Sequence, residues 1–165
     1  MKLLKIFSVI VLALSSIALA KSDITSNPNS IGADNLSFVI SAAEGKLSPL
    51  KSGSYQLLLN GVSPYTVYYT RRPNRDSGLA SMANFVKSWG VGTHSFAQDN
   101  PNAALSASNI NGVANNQGLV KIFQLSHPTY NIARGTLTLV ATPIGNNNQI
   151  VIKNEVLRGV SLLIN

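Results

Sequence analysis

The stretch Leu36-Ser37-Phe38-Val39-Ile40-Ser41 decides the fold class, because its largest apolar side chains recur at every second position. In an extended chain, Leu36, Phe38 and Ile40 share one face, and the residues between them share the other. This period of two is typical of a β-strand that buries one face. The sequence therefore predicts paired strands from residue 36 onward.

Similar strand-like segments follow along the chain, separated by turn residues. They span 54–59, 65–70, 102–106, 118–125, 135–141, 150–152 and 156–164. Glycine, proline and asparagine punctuate the intervals at a spacing that favours antiparallel strands over parallel βαβ units. We predict a mainly β fold, an antiparallel β-sandwich or open barrel with one amphipathic helix packed on it. An α+β arrangement is the alternative.

Two of these segments carry more detailed expectations. Asn60-Gly61 is a strong hairpin signal, so we expect segments 54–59 and 65–70 to pair with each other. Segment 118–125 is partly apolar on both faces, which predicts a central strand that is covered on each side.

A helix is predicted after the strand at 65–70. Asp76 or Ser77 is a suitable N-cap, and Gly90 is a suitable stop. Between these positions the apolar residues recur at helical spacing: Leu79, Met82, Phe85, Val86 and Trp89. Such a stripe is typical of a three-turn helix that lies on a hydrophobic core.

The first twenty residues are organised like a secretory signal. Lys2 and Lys5 precede the apolar run 6–14, and Ala18-Leu19-Ala20 supplies the small-x-small cleavage pattern. The run is shorter than the ~20 residues of a spanning helix, so we expect cleavage and export to the periplasm or the medium. An uncleaved anchor is the alternative. Residues 21–34 predict a flexible leader, and residues 35–165 a single β-rich domain without a transmembrane segment.

Composition narrows the classes of partner. The chain has no cysteine, which excludes disulfides and lipid attachment through cysteine. Its formal net charge is +7, of which the expected signal carries two lysines. The positive charges are scattered outside one arginine cluster, whereas a nucleic-acid-binding domain presents a dense basic face. We therefore expect no nucleic-acid partner, and an anionic ligand, a polysaccharide or a cell surface fits the mild positive charge.

The arginine cluster is the first candidate for a binding site. Three of the five arginines, Arg71, Arg72 and Arg75, surround a turn at Pro73-Asn74. Guanidinium groups on such a turn can bind a carboxylate, sulfate or phosphate through paired N–H groups. Two structural interpretations compete. The arginines can pair locally, with Asp76 for example, or one of them can be buried and tie the hairpin to the loop around Asp99.

The strand before the cluster is rich in tyrosine. Tyr68 and Tyr69 are adjacent, so a regular strand turns them to opposite faces, and we expect at least one of them outside the core. Together with Tyr55 and Tyr65 they can form an aromatic platform for sugars or lipid headgroups, or they can pack between strands. The predicted contact surface comprises Tyr68, Tyr69, Arg71, Arg72 and Arg75, with His94 and Asp99 on the following loop.

The sequence contains few groups that are suited to catalysis. His94 and His127 are the two histidines, no Gly-x-Ser-x-Gly elbow is present, and in a regular strand the neighbours Ser95 and Ser126 point to the opposite face. No pair of carboxylates has a glycosidase-like spacing, and the two distant histidines show no metal-ligand spacing. We therefore expect neither a cofactor nor a metal, and we favour a non-enzymatic protein.

The order of these features resembles an uncharacterised group of small exported bacterial proteins. The shared features are the tyrosine-rich strand, Arg72-Pro73-Asn74-Arg75, Gly78, the helix with Phe85 and Trp89, Phe96, and Pro101-Asn102-Ala103-Ala104-Leu105. The resemblance covers the middle third of the chain and implies a compact all-β or α+β domain without an assigned activity. In that group an acidic residue precedes the Arg-Pro-Asn-Arg run, whereas this chain has Arg71, so no pairing role is carried over to that position.

Three functions remain open from the sequence. The leading interpretation is an exported bacterial binding or interaction protein that recognises an anionic or carbohydrate-like ligand or a cell-surface partner. The second is a small secreted hydrolase that uses His94 or His127 as its base. The third is a membrane-active protein whose aromatic strand meets lipid.

Overall fold

A computed structural model describes residues 36–51, 53–70, 75–110, 119–145 and 156–165. These ranges contain eight strands and one helix: β1 (Leu36–Pro49), β2 (Tyr55–Val62), β3 (Tyr65–Thr70), β4 (Ser77–Ser81), α1 (Met82–Ser88), β5 (Asn102–Ile110), β6 (Leu119–Asn131), β7 (Thr136–Pro143) and β8 (Val156–Ile164). Strands make up 67% of this part of the chain, which confirms the prediction of a mainly β fold with one helix. The predicted signal, the leader and segment 150–152 lie outside the described residues.

Six strands close into an antiparallel barrel in the order β1, β2, β7, β6, β5, β8, and β8 pairs back onto β1. Strand β1 is long enough to pair with two strands along the same edge. Residues 36–39 pair with β3 and residues 42–49 pair with β2, while β8 occupies the other edge. The hairpin β3–β4 therefore extends the sheet beyond the barrel, and each of the six ring strands has a neighbouring strand on both sides.

Apolar side chains from every strand of the ring fill the barrel interior. The buried side chains include Phe38, Ile40, Leu47, Leu57, Leu59, Leu105, Phe123, Leu125, Leu137, Leu139, Leu157, Leu162 and Ile164. Burying a side chain of this size stabilises the fold by about 1.5–3 kcal/mol relative to exposure. Packing of this extent explains how a chain without cysteine holds its fold.

Helix α1 covers the interior at the end where β1 begins. Met82, Phe85 and Trp89 are buried there. The ring centroids of Phe85 and Phe38 are 4.9 Å apart, and those of Trp89 and Phe96 are 5.0 Å apart. For these helical residues the expected packing of the apolar stripe on the core is confirmed.

The helix starts later than predicted. It begins at Met82, and the side-chain oxygen of Ser81 accepts a hydrogen bond from the backbone N–H of Asn84 at 3.2 Å. The predicted N-caps Asp76 and Ser77 are therefore wrong, because residues 77–81 form β4 and pair with β3. Leu79, expected on the buried stripe, lies opposite Val67 and is 42% exposed. Here the pairing with β3 overrides local helical spacing.

Asn60-Gly61 does not form the predicted hairpin. These residues lie inside β2, and β2 and β3 pair with successive parts of β1 rather than with each other. Gly61 and Gly159 have positive φ angles of 64° and 58°, a conformation that glycine adopts without steric cost. The register aligns them with residues of the neighbouring strands, so that Gly61, Ala43, Gly159 and Ser108 form one transverse line, which we call the glycine row.

At the glycine row the inward and outward alternation of the strands shifts by one residue. In β8 the buried residues Leu157 and Val160 are three positions apart, and β2 shows the same spacing. A regular period of two from the buried Ala42 and Val160 would turn Glu44 and Arg158 into the barrel. The shift places both on the outer surface instead, where they form an ion pair at 2.9 Å.

Strand β6 is longer than predicted and is covered on one face only. It continues past Leu125, the end of the predicted segment, to Asn131. Val120 is 63% exposed, and Ile122 on the same outer face is also exposed. The expectation of a strand covered on each side is therefore wrong, because a closed barrel covers only its inner face.

Candidate functional site

Hydrogen bonds fix both ends of the turn that carries the arginine cluster. Thr70 N donates to Asp76 O at 2.8 Å, and Asp76 N donates to Thr70 Oγ1 at 2.6 Å. The Asp76 carboxylate accepts from the backbone N–H of Ser77 at 2.8 Å. Arg75 is exposed and has a positive φ of 46°, which is uncommon for a residue other than glycine. Arg71 and Arg72 lie outside the described residues.

The two adjacent tyrosines of β3 face opposite sides, as expected. Tyr68 turns inward, where its ring packs 6.5 Å from that of Phe38. Thr66 is also on the inner side, and its hydroxyl donates to the carbonyl of Val39 at 2.9 Å. Tyr69 points outward and is 36% exposed. Tyr68 therefore anchors the hairpin on the barrel, and Tyr69 is available to a ligand.

The outer face of the hairpin is apolar and aromatic. Tyr65 is 52% exposed, and Val67 and Tyr69 follow it on the same side of β3. Leu79 of β4 lies directly opposite Val67. We call these four residues the hairpin face: Tyr65, Val67, Tyr69 and Leu79. The contributions of Val67 and Leu79 were not predicted from the sequence, although the alternation in 65–70 signals that Val67 shares a face with Tyr65 and Tyr69.

His94 and Asp99 lie on the loop that follows α1. Phe96 and Ser95 are buried and hold this loop against the aromatic residues at the barrel end, whereas His94 and Asp99 are exposed. The backbone N–H of Asp99 donates to Ser95 O at 3.1 Å. Within the described residues, no hydrogen bond or ion pair joins either side chain to Arg75. Tyr69 and Arg75 belong to the β3–β4 hairpin, whereas His94 and Asp99 belong to the loop after α1.

Ser126 and His127 form the closest arrangement to a catalytic pair. A register shift in β6 between Ser126 and Thr129 accommodates an extra residue, and His127 has a positive φ of 51°. His127 Nδ1 lies 2.9 Å from Ser126 Oγ. The expectation that strand neighbours point apart is wrong at this bulge, because a bulge breaks the alternation. In the described part of the chain no carboxylate contacts His127, which is the contact that the orienting acid of a catalytic triad makes.

Other classes of site have little support in the described ranges. No group of three His, Asp or Glu side chains there is arranged to hold a metal ion. None of the helices in the same ranges has the length and apolar character needed to span a bilayer.

Comparison with known proteins gives no family assignment. No protein-family model matches the chain, and no curated protein or solved structure matches it. Function has to be inferred from the hairpin and from the sequence.

Proposed function

We propose that this protein is an exported bacterial binding module that recognises an anionic or carbohydrate-like ligand, without catalysing a reaction on it. One observation carries the proposal: β3 presents exposed aromatic residues, and the turn that follows it carries the exposed Arg75. The ligand-binding residues in this proposal are Tyr65, Tyr69 and Arg75, together with Arg71 and Arg72 of the same turn.

The chemistry of the hairpin face fits a polyanionic sugar chain. Tyrosine offers an apolar ring face and a polar tip, which suits the mixed surface of a sugar. Arginine binds a carboxylate or sulfate through paired N–H groups. Tyr65 and Tyr69 are four residues apart on one strand, or about 13 Å, so an extended ligand can contact both. A ligand longer than this would also reach the turn beyond Tyr69.

The described part of the hairpin is held by contacts with the barrel and by hydrogen bonds at the ends of its turn. Thr66 bonds to β1, Tyr68 packs on the core, and Thr70 and Asp76 close the turn. A preformed site loses little conformational entropy on binding, so modest contacts can suffice for measurable affinity.

Binding to polygalacturonate, with neutral dextran as the comparison polymer, tests the proposal. We expect the wild-type protein to bind the acidic polymer, and binding to weaken with added salt because exposed charges are screened. Arg75→Asn is expected to reduce binding several-fold without loss of stability, since asparagine tolerates positive φ. Tyr69→Ser is expected to act similarly.

Arg134→Asn supplies the matched control. Arg134 is exposed on the turn between β6 and β7, and the change removes the same charge. Equal binding by the Arg75 and Arg134 variants would show that net charge, not the hairpin, retains the polymer, and the site assignment would be wrong. Leakage of dye from anionic vesicles would instead favour the membrane-active alternative.

The export proposal rests on residues 1–20 of the sequence. Signal cleavage after Ala20 predicts that the mature protein begins at Lys21. Mass spectrometry of protein recovered from the periplasm or medium measures this directly, and an intact N-terminus would contradict it.

A hydrolase is the second candidate, supported by the 2.9 Å contact between His127 and Ser126. In this alternative His127 accepts the proton of the Ser126 hydroxyl as that oxygen attacks an ester carbonyl, and it returns the proton to the alcohol that leaves as the ester C–O bond breaks. Water then attacks the acylated Ser126 with His127 as base, which releases the acid and restores the hydroxyl. Labelling by a fluorophosphonate probe that Ser126→Ala abolishes, and Ser161→Ala does not, would favour this reading over the binding module. Absence of labelling would count against it.

A further inference from the structure

The free edge of β4 has the properties of a self-association surface. β4 is the last strand of the sheet extension, and no described strand pairs with its other edge. An open edge presents unpaired N–H and C=O groups to any second strand. Natural edge strands are commonly protected by charged residues or proline, but Ser77-Gly78-Leu79-Ala80-Ser81 contains neither.

The backbone orientation at this edge follows from the hydrogen bonds at the ends of the hairpin. Thr70 N bonds to Asp76 O, and Met82 N bonds to Pro64 O. Hydrogen-bonded and non-hydrogen-bonded pairs alternate along an antiparallel ladder. Leu79 is three positions from each of Asp76 and Met82, so it belongs to a non-hydrogen-bonded pair with Val67. Its N–H and C=O therefore point away from β3, toward the open edge.

The sequence of β4 is nearly symmetrical about Leu79. In an antiparallel pair of two copies with a twofold axis at Leu79, each Ser77 lies opposite Ser81 of the other copy. Gly78 lies opposite Ala80, and the two Leu79 residues exchange a pair of N–H to C=O bonds. Small residues meet small residues and no charges oppose each other, which is the self-complementarity that a twofold interface requires. The two exposed Arg75 turns fall at opposite ends of the paired strands.

An apolar line on the outer surface leads to the same edge. The register places one outward apolar side chain of each strand directly opposite the next: Leu79, Val67, Val39, Leu163, Ala104 and Ile122. This outer apolar row crosses six strands and stops at Leu79. Pairing at β4 would continue it into a second copy and would cover part of the exposed Leu79 side chain.

We infer that two copies of this chain associate through antiparallel pairing of their β4 strands about Leu79. The interface of a five-residue strand is smaller than the 1,200–2,000 Å² typical of stable complexes, so we expect a weak dimer, with a Kd on the order of 100 µM. The inference does not depend on the proposed ligand, because Tyr69 and Arg75 lie on β3 and on the turn.

Sedimentation velocity from about 10 µM to 1 mM, a range that spans weak affinities, tests the inference. The wild-type protein is expected to shift from monomer to dimer within that range. Leu79→Pro removes the outward N–H without removing a bond to β3, and Leu79→Lys places like charges opposite each other at the axis. Each change is expected to weaken association at least tenfold.

Val120→Lys is the matched control for the added charge. Val120 is exposed on the outer face of β6, which lies between β5 and β7 in the sheet. We expect this variant to dimerise like wild type, and circular dichroism establishes that each variant is folded. A monomer at 1 mM would overturn the inference. So would dimerisation that survives both Leu79 changes, or equal loss in the Val120 variant.

Discussion

The ring of Tyr68 lies directly against Gly78, its partner across the β3–β4 hairpin. A Cβ atom built on Gly78 would be 2.7 Å from Tyr68 Oη and 2.8 Å from Cζ. Real Cβ atoms essentially never come this close to another heavy atom, so the Tyr68 ring occupies the space that a side chain at position 78 would need. The same ring packs on Phe38, which connects the hairpin to the interior of the barrel.

Gly78→Ala is therefore expected to destabilise the protein by about 1–3 kcal/mol, because the Tyr68 ring must leave its site on the core. Urea unfolding followed by the fluorescence of buried Trp89 measures this loss. Gly90→Ala is the control, since its Cβ would meet only Ala97 at 3.8 Å. A neutral Gly78→Ala variant would contradict the packing described for Tyr68.

The glycine row predicts a second costly substitution. Gly159→Ala forces a Cβ into a positive φ of 58° and to 2.5 Å from Ser108 Oγ. The backbone conformation alone costs about 1–2 kcal/mol for a residue with a side chain. Adding Ser108→Gly should recover the steric part but not the backbone part, so the double variant should unfold at an intermediate urea concentration. Equal midpoints for the single and double variants would show that the contact with Ser108 is unimportant.

Substitution of the N-cap residue Ser81 tests where the helix begins. Ser81→Ala removes the acceptor for Asn84 N, and loss of such a cap costs about 1 kcal/mol. Ser77→Ala should be close to neutral, because Ser77 lies in β4 and caps no helix. Comparing the melting temperatures of the two variants distinguishes a helix that begins at Met82 from one that begins near residue 77. A larger loss for Ser77→Ala would contradict the strand assignment of 77–81.

The ion pair between Glu44 and Arg158 is expected to contribute little. The two side chains are 40% and 57% exposed, and exposed pairs are worth about 0–1 kcal/mol. Glu44→Gln should therefore change the free energy of unfolding by less than about 1 kcal/mol, and added salt should shrink the difference. Glu44→Leu should likewise leave the fold intact, because the side chain at position 44 lies outside the barrel. A loss above about 2 kcal/mol in Glu44→Gln would indicate that this pair is screened from water.

Much of the strand content could be predicted because it depends on local alternation. The segment 156–164 coincides with β8, and the apolar spacing of Met82, Phe85 and Trp89 identifies residues that pack on the core. The choice of partners could not be predicted, because pairing depends on residues far apart in sequence. Gly61 illustrates this difficulty. Glycine after asparagine commonly forms a hairpin turn, but Gly61 lies inside β2, where the Cβ of Ala43 on β1 is close to it.

The candidate site was predictable to a similar degree. The alternation in β3 correctly separates Tyr68 from Tyr69, since neighbours in a regular strand face opposite sides. It does not indicate that residues 77–81 form a strand, so the exposed Leu79 and the free edge of β4 could not be foreseen. The pairing of Ser126 with His127 was also missed, because it depends on a bulge that only the register with β7 creates.

The placement of β8 between β1 and β5 has a consequence for folding. In chain order β8 follows all the other strands of the ring, so a truncated chain that stops before Val156 lacks the strand that closes the barrel. Pairing between distant parts of a chain forms slowly. Closure between β1 and β8, which lie at opposite ends of the described chain, is therefore expected to be a slow step of folding.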